Sequence, residues 1–363
     1  MELSVVIPTY NRPKDMAAIL KSILKQTTLP KDVVIVDQSD SSTSMTLINQ
    51  IEPLFFNKKI QLKYIHLDEK NSSKARNLGF QNTSGQIIFF LDDDVTLSED
   101  YFEKVLEVYR RNLNAIGVQG IIIPCSQEHT HLTTWDPFKI EESTSGAHMV
   151  NSVWRIFFLP HTQKDRWAVL PSVADVFPIP LTKIIRSPRM QGCCSYKREI
   201  LQHFRFDEKL GKWSFLEDFD LSYRIHKAKL GYFYVTPWAR LFHKHSDMRL
   251  NEKTEKFIET VNRTYIFFKD IEQTILNQII FVWSMLGSMI TTIGRTILAA
   301  KSKRMRWKLI YLMESYSYTL KYVRSIKQQD LTFFNKVLDQ GNYGQMNLTE
   351  ENARFLQSRA LCT

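Results

Sequence analysis

The first 124 residues alternate strand-like apolar runs with helical segments, and this alternation is the strongest constraint on the fold. The runs are LSVVIP (3–8), VVIV (33–36), QLKYIH (61–66) and QIIFFL (86–91). Helical spacing of apolar residues begins at Pro13 and recurs over residues 45–56, 75–81 and 101–111. Strands alternating with amphipathic helices are typical of a parallel sheet covered on both faces. The sequence therefore predicts an α/β fold, in which ligands bind beyond the carboxyl ends of the strands.

Three adjacent aspartates, Asp92, Asp93 and Asp94, directly follow the fourth apolar run. Their carboxylates repel one another, and burying them is costly unless a positive charge compensates. Carboxylate oxygens suit Mg²⁺ or Mn²⁺, and either ion can hold a diphosphate. The pattern indicates a cation site at a strand end, although a solvated acidic turn has the same composition.

The same aspartates fit a second chemistry. DDDVT (92–96) matches the D-x-D-x-T pattern of haloacid-dehalogenase-like phosphatases, in which the first aspartate, here Asp92, is the nucleophile. That motif belongs on the first strand of its domain, whereas strand-like runs precede it in this chain. The phosphatase is therefore the less favoured alternative.

Polar groups also follow the first two predicted strands. Pro8 is expected to end the first strand, and Thr9, Asn11 and Arg12 then offer polar side chains. Asp37 closes the second strand and can accept a hydrogen bond from a pyrimidine N3–H or a ribose hydroxyl. A helix N-cap would use an aspartate equally well.

NSSKARNLG (71–79) places two cations near the start of a predicted helix. Basic side chains are unfavourable at a helix N-terminus, so Lys74 and Arg76 favour an anion site over a basic surface turn. Both are therefore expected to face a phosphate.

FLEDFDLSYRI (215–225) begins a predicted helix with Glu217 and Asp218. The helix dipole keeps such carboxylates ionised, so Asp218 can act as a general base, and an N-terminal cap is the alternative. Further along, His243 and His245 follow the strand-like run YFYV (232–235). Either imidazole can complete a metal site with the aspartates, and simple packing of the ring is the alternative.

Taken in order, PTYN (8–11), Asp37, KARN (74–77), the DDD cluster and LEDFDLSYR (216–224) resemble the family 2 glycosyltransferases. The resemblance covers roughly residues 1–250 and implies a GT-A fold. It also implies that a sugar moves from a nucleoside-diphosphate sugar to a hydroxyl of a glycan or lipid-linked acceptor, with inversion at the anomeric carbon.

The resemblance implies roles for individual residues. Asp218 matches the catalytic base, with Glu217 beside it, and Arg76 lies in the segment near the diphosphate. Asp94 is the expected direct ligand of Mn²⁺ or Mg²⁺, accompanied by Asp92 and His243. The residues expected around the nucleotide sugar are Pro8, Thr9, Asn11, Arg12, Asp37, Lys74, Arg76, Asp92 and Asp93.

Two features depart from the family pattern. Gln38 stands where a second acid usually follows Asp37. QKDRW (163–167) spells the Q-x-x-R-W motif of processive members, but it precedes Asp218 instead of following it. A non-processive enzyme is therefore expected.

The predicted fold class is α/β, with a GT-A, Rossmann-like mixed sheet that binds the nucleotide sugar and is flanked by helices, plus a C-terminal α-helical region. The catalytic domain is expected over residues 1–250 and a helical, basic region over residues 251–363. Within the first, residues 1–124 would bind the nucleotide sugar and residues 125–250 would hold the acceptor and the base. An irregular insertion is expected at 125–190.

The segment QTILNQIIFVWSMLGSMITTIG (273–294) carries no charge and, at ~1.5 Å per residue, is long enough to cross a ~30 Å hydrocarbon core. Its polar residues recur at helical spacing opposite an apolar face, which predicts an amphipathic helix. Residues 295–327 are rich in Lys, Arg and Tyr, which suits an anionic lipid surface. Packing or oligomerisation through the helices, and a true membrane span, are the alternatives.

Charge and cysteine usage bound the partners and the compartment. The net charge of +10 favours anionic partners, but no nucleic-acid-binding motif is recognisable, so nucleic acid is not expected. The four cysteines lack metal-ligand spacing, which indicates a reducing compartment. MELSVVIPTYNR has no basic region before its apolar run, so no signal peptide is expected. These features predict a cytoplasmic enzyme, peripheral on the cytoplasmic face of a membrane.

Two further alternatives concern the activity. A nucleotidyltransferase would need a glycine-rich loop after the first strand, and PTYNRPKD lacks glycine. A catalytically dead, membrane-bound scaffold would have no use for both the DDD cluster and Glu217–Asp218.

Overall fold

The computed structural model describes residues 1–39, 43–125, 184–187, 189–210, 215–244, 251–299 and 302–339. The described residues up to 244 belong to one compact unit and those from 251 to a second. His245 and the QKDRW motif at 163–167 lie outside the described residues.

The first unit is built on one mixed sheet. Its strands are β1 (Leu3–Thr9), β2 (Asp32–Asp37), β3 (Gln61–His66), β4 (Ile87–Phe90), β5 (Val95–Leu97), β6 (Ala115–Cys125), β7 (Ile185–Ser187), β8 (Cys194–Lys197) and β9 (Tyr232–Lys244). Its helices are α1 (Pro13–Leu24), α2 (Thr43–Asn57), α3 (Ser72–Gln81), α4 (Tyr101–Arg111), α5 (Arg198–His203) and α6 (Glu217–Lys227), with a 3₁₀ turn at Glu208–Leu210. The strand order is β3-β2-β1-β4-β8-β6-β9-β5, and β7 pairs with β9.

Helices cover both faces of this sheet. Val5 and Ile7 of β1 pack in a cluster with apolar residues of α1, α2 and α4. Val6, which points to the opposite face, packs with residues of α3, α5 and α6. Gly79 lets α3 approach β1, because a Cβ there would lie 2.3 Å from the side chain of Val6. The mixed sheet flanked by helices confirms the predicted fold class.

Strand directions bring distant residues to one edge of the sheet. β1 is parallel to both β2 and β4. Strand β8 runs antiparallel to β4 and β6, and β6 is parallel to β9, so β9 has the same direction as β1. The carboxyl ends of β1, β2, β4 and β9 therefore meet at the same edge. Thr9, Asp37, Asp92 and His243 all lie there.

Some details differ from the sequence prediction. Pro8 does not end the first strand: it lies within β1, opposite Val36. Strand β4 pairs with β1 only as far as Val6, so the missing N–H of Pro8 is accommodated on that side. Strand β7 lies inside the predicted irregular insertion at 125–190, and β5, β6 and β8 are absent from the sequence prediction.

The second unit is helical, as predicted. Its helices are α7 (Glu252–Asp270), α8 (Ile275–Leu298), α9 (Lys303–Lys321), α10 (Val323–Lys327) and α11 (Thr332–Asp339). Side chains cap the first three: Asn251, Thr274 and Ser302 each accept a hydrogen bond from a backbone N–H of the following turn. Helix α9 packs against α7 and α8, and the Tyr316 hydroxyl donates to the Met285 carbonyl at 3.0 Å.

Helix α8 has its apolar face outward. Its small residues Ser284 and Gly287 are buried. The exposed large side chains are Ile275, Leu276, Ile279, Val282, Trp283, Leu286, Ile290, Ile297 and Leu298. Among the described residues, α8 alone is long and apolar enough to cross a membrane, a criterion that core helices of soluble proteins also meet. Helices that contact lipid commonly pack small residues against neighbouring helices and expose large apolar residues, as α8 does.

Candidate active site

Asp92, Asp94 and His243 form a group whose potential ligand atoms lie within 4.8 Å of one another. The pairing of β5 with β9 places Val95 opposite His243, and this register brings the imidazole to the aspartates. His243 Nε2 is 3.1 Å from Asp94 Oδ1. Two carboxylates and one imidazole are a donor set that fits Mn²⁺ and also accommodates Mg²⁺.

Arg12 and Thr9 hold the other side of the aspartate cluster. A terminal nitrogen of Arg12 lies 3.0 Å from Asp93 Oδ1 and 3.3 Å from Asp94 Oδ2. The Thr9 hydroxyl donates to Asp93 Oδ2 at 2.7 Å. Burial raises the pKa of Asp93 to about 6, although Arg12 and Thr9 act in the opposite direction. Burial also raises the pKa of Asp94, but His243 and Arg12 outweigh it and hold that pKa below its ordinary value.

The loop after β1 is connected to Asp37. Asn11 has a positive φ of 53°, a left-handed conformation that asparagine tolerates better than most residues. Its backbone N–H donates to the Ser39 hydroxyl at 2.7 Å, and the Ser39 N–H donates to Asp37 Oδ1 at 2.8 Å. The Tyr64 hydroxyl donates to Asp37 Oδ2 at 2.9 Å. Asp37 is therefore a buried, hydrogen-bonded carboxylate, and Ser39 connects it to the loop at Asn11.

Arg76 links the aspartate cluster to the start of α6. Its side chain is buried, with one terminal nitrogen 2.8 Å from Glu217 Oε1 and the other 3.0 Å from Asp92 Oδ1. A guanidinium can bridge two carboxylates in this way because its donors form a rigid planar fork. Arg76 therefore pairs with one acid from each motif and fixes their separation.

Asp218 is the carboxylate most altered by its surroundings among the candidate residues. It is half-buried, and its Oδ1 accepts a hydrogen bond from the Phe219 N–H at 2.7 Å. Burial, followed by the negative charge of Glu217, raises the pKa of Asp218 to about 7, while Arg76 and Arg189 act to lower it. Burial therefore outweighs the helix dipole that was expected to keep Asp218 ionised. A carboxylate with such a pKa can accept a proton near neutral pH, which is what a general base must do.

Leu216, the residue just before α6, has a strained conformation. Its φ is 74°, in the left-handed region that a side chain of this size avoids, at a cost of about 1–2 kcal/mol. The turn sets the direction in which Glu217 and Asp218 leave the loop. Strained residues of this kind cluster at functional sites. No sequence signal marks Leu216, since leucine normally favours other conformations.

Other candidate residues lie apart from the cluster or serve the scaffold. The Lys74 ammonium lies 2.6 Å from Glu69 in an exposed ion pair and faces no carboxylate of the DDD cluster in the described structure. Gln38 is buried, and its side chain accepts a hydrogen bond from the Asn71 N–H. Cys193, which sequence reasoning missed, lies against Asp92, with its Sγ 3.4 Å from the Asp92 nitrogen.

Comparisons with known proteins bear on this site. The family model described as "Glycosyl transferase family 2" matches residues 4–170, which include β1 to β6 and the DDD cluster. An uncharacterized glycosyltransferase of Haemophilus influenzae is 31% identical over 113 residues, which are 31% of this chain and 36% of the relative. Residues 4–170 of the chain therefore contain a glycosyl transferase family 2 domain. The family predicted from the ordered motifs is thereby confirmed.

One further relative and one solved structure show how far the similarity extends. The minor teichoic acid biosynthesis protein GgaB of Bacillus subtilis is 24% identical over 217 residues, which are 58% of this chain and 20% of GgaB. The solved structure of S. aureus TarS 1-349 has 14% identity and a TM-score of 0.44, and the match covers 94% of this chain and 93% of that solved chain. This chain spans about a third or less of the length of the first curated relatives that it matches.

The buried position of Arg76 gives a testable prediction for stability. Arg76→Lys should lower the free energy of unfolding by about 1–3 kcal/mol, because an ammonium cannot reproduce both hydrogen bonds and leaves a buried acid without a partner. Urea unfolding followed by circular dichroism measures this change. Arg111→Lys is the matched control, because its ion pair with Glu107 is on the surface and should contribute less than about 1 kcal/mol. Equal stability of the two variants would contradict the bridging role.

Proposed function

We propose that this family 2 protein is a metal-dependent, inverting and non-processive glycosyltransferase. It moves a sugar from a nucleoside-diphosphate sugar to a hydroxyl of a glycan or lipid-linked acceptor. The observation that carries the proposal is the gathering of Asp92, Asp94 and His243 within 4.8 Å, with Arg76 joining Asp92 to Glu217 beside Asp218. One connected group thus contains both a cation-binding set and a base.

Asp92, Asp94 and His243 would hold Mn²⁺ or Mg²⁺, with Asp94 as its direct ligand. The ion, when bound, supplies positive charge to the departing diphosphate. Thr9, Asn11 and Asp37, the last residue of β2, lie at the same edge of the sheet, where the nucleoside would bind.

Asp218 would take the proton of the acceptor hydroxyl. As the acceptor oxygen bonds to the anomeric carbon, the bond from that carbon to the diphosphate oxygen breaks on the opposite face. The proton moves to an Asp218 oxygen and the electron pair leaves with the diphosphate. Arg76 pairs with both Glu217 and Asp92, so that the base and the leaving-group site stay in a fixed relation.

The alternative functions are not favoured. A phosphatase nucleophile belongs on the first strand of its domain, whereas Asp92 follows β4 and is paired with Arg76. The match of residues 4–170 to the glycosyl transferase family 2 model also favours the transferase over a phosphatase. A catalytically dead scaffold would have no use for both the DDD cluster and Glu217–Asp218.

The stereochemistry of the product tests the inverting mechanism. From an α-linked nucleotide sugar we expect a β-linked product, because a single displacement with Asp218 as base inverts the anomeric carbon. Proton NMR of the purified product distinguishes the two anomers, since the new glycosidic linkage is an acetal that does not mutarotate. An α-linked product would instead require a double displacement or a front-side reaction, and would contradict the role given to Asp218.

We further propose that the second unit attaches the enzyme peripherally to the cytoplasmic face of an anionic membrane. The outward apolar face of α8 carries this proposal. Exposed Lys303, Arg306 and Trp307 at the start of α9 are suited to the same surface, since cations and tryptophan favour an anionic lipid interface.

The double variant Ile279→Ser/Leu286→Ser tests this attachment. It should weaken co-sedimentation with vesicles of phosphatidylglycerol and phosphatidylcholine by about tenfold or more, because burying each side chain contributes up to about 1.5–3 kcal/mol. Leu113→Ser is the control, since Leu113 is a highly exposed leucine of the first unit. The opposite outcome is a wild-type protein that does not co-sediment with vesicles and instead forms a dimer in ultracentrifugation that the double variant does not form. In that case the apolar face is a dimer interface, and the proposal of membrane attachment is wrong.

A further inference from the structure

An irregular stretch of β9 displays a tryptophan at the surface of the first unit. Val235 of β9 pairs with Gln119 of β6, but the next pair is Arg240 with Ile121, so residues 236–239 form a bulge. The bulge closes tightly on β6, since a Cβ at Gly120 would lie 2.2 Å from the Ala239 carbonyl oxygen. Within it, Ala239 is buried whereas Trp238 is 53% exposed. Such a bulge is a built feature that re-aims a side chain.

Trp238 stands between two adjoining cavities, which we call the Trp238 groove. The first, of about 290 Å³, is lined by Ser98, Asp100, Lys104, Trp238 and Arg240. The second, of about 200 Å³, shares Lys104 and Trp238 with the first. The groove runs along α4, from Asp100 just before the helix to Arg111 at its end. Its cavities are at the small end of the range for ligand sites.

Charges in the groove favour an anionic ligand. Within the described part of the chain, neither Lys104 nor Arg240 forms an ion pair, while Asp100 is the one acid that lines the first cavity. In the second cavity the exposed Arg111 is already paired with Glu107. Two available cations therefore face one carboxylate.

The groove also offers groups that suit a sugar ring. An indole face can pack against the apolar C–H face of a sugar, and its edge stays polar. The Ser98 hydroxyl oxygen lies under the lining of the first cavity, is buried and has no hydrogen-bond partner among the described residues. Asp100 can accept from a second hydroxyl, and a guanidinium such as that of Arg240 pairs well with carboxylate or phosphate.

The groove and the candidate metal ligands lie at opposite ends of β5. Asp94 directly precedes Val95, where β5 begins, and Ser98 directly follows Leu97, where it ends. A strand of this length spans roughly 10 Å at about 3.3 Å per residue. The groove is thus outside the transfer site but within reach of an oligomeric acceptor.

We propose that the Trp238 groove binds a sugar unit that carries a carboxylate or phosphate, belonging to the acceptor chain and remote from the hydroxyl that receives the new sugar. The assignment of this ligand to the acceptor rests on the proposed glycosyltransferase function. The groove binds a remote part of the acceptor chain, while the reacting end of the acceptor lies at the edge of the sheet near Asp218.

An array of immobilised oligosaccharides tests the proposal without requiring transfer. It carries uronic-acid oligomers beside their methyl esters, and phosphate-bearing oligosaccharides beside their dephosphorylated forms. We expect the full-length wild-type protein to bind acidic forms in preference to their neutral counterparts. Trp238→Ala should weaken that binding about tenfold, and Lys104→Gln/Arg240→Gln should remove the preference for the acidic forms. Trp307→Ala, which removes a similarly exposed tryptophan of the second unit, is the matched control and should bind normally.

Three results would overturn the proposal: equal binding of acidic and neutral forms by the wild type, binding that survives Trp238→Ala, or absence of binding to every oligosaccharide on the array. Asp94→Ala should bind the array normally, because Asp94 lies outside the groove. If the groove proposal is wrong, array binding is lost while donor binding remains. If the transferase proposal is wrong, donor binding and transfer are lost while array binding remains.

Discussion

Replacing Asp218 by asparagine should lower kcat by about 10²–10⁴-fold, the range that a general base contributes. The amide keeps the size of the carboxylate and can still accept the Phe219 N–H, but it cannot take the acceptor proton. Binding of the nucleotide sugar should change little, because Asp218 does not belong to the group of Asp92, Asp94 and His243. Steady-state kinetics with a nucleotide sugar, together with the melting temperature, separate lost catalysis from lost folding.

The pH dependence provides a second readout for the same residue. The raised pKa of Asp218, about 7, means that the carboxyl is protonated and inactive as a base below that pH. The wild-type kcat/KM should therefore rise about tenfold per pH unit below pH 7 and level off above it. Asp218→Asn should lose this limb. Asp68→Asn is the matched control, since the Asp68 side chain is 99% exposed. A variant that keeps both the rate and the limb would show that another group is the base.

Much of the first unit follows from local sequence patterns. Continuous runs such as VVIV predict buried strands because both of their faces are covered, and β2 extends that run by one residue at each end. Strands β5 and β8 are short, and β6 contains Gly117 and Gly120. They are strands because neighbours pair with them, and a sequence pattern read locally does not reveal those neighbours.

The position of the candidate site also follows from the sequence, whereas the pairing of its charged side chains does not. Once the strands are parallel, Thr9, Asp37 and Asp92 must meet at one edge. Which cation neutralises which acid depends on side-chain reach across elements. Arg76 faces inward to Glu217 and Asp92, whereas Lys74, two residues earlier on α3, projects to Glu69. A helix turns about 200° over two residues, so both cannot face the same anion.

Two further features are tertiary properties of the chain. The sequence shows that residues 273–294 are amphipathic, but it does not show which face is outward. Packing of α8 against α9 decides this, because small residues such as Ser284 and Gly287 allow close approach. Likewise, the strained φ of Leu216 is imposed by its neighbours, against the local preference of leucine.

Asp94→Ala should abolish the Mn²⁺-dependent stabilisation of the protein by a nucleoside diphosphate. Asp94 is hydrogen-bonded to His243 and paired with Arg12, and its lowered pKa keeps it anionic at neutral pH, ready to bind a cation. A thermal-shift screen of UDP, GDP, dTDP and CMP, each with and without Mn²⁺, measures the effect. A ligand at a hundred times its Kd stabilises the folded state by about 2.7 kcal/mol, which is a readily measured shift.

The pattern across nucleotides and variants decides what the aspartates do. Stabilisation of the wild type by one diphosphate, only with Mn²⁺, together with its loss in Asp94→Ala and its retention in Asp68→Ala, would assign the ion to this cluster and name the base of the donor. Stabilisation that persists in Asp94→Ala would place the ion elsewhere. If no nucleotide stabilises the wild type, Arg12 and Arg76 are sufficient by themselves to hold the three carboxylates together, and the cluster is then a structural ion-pair network.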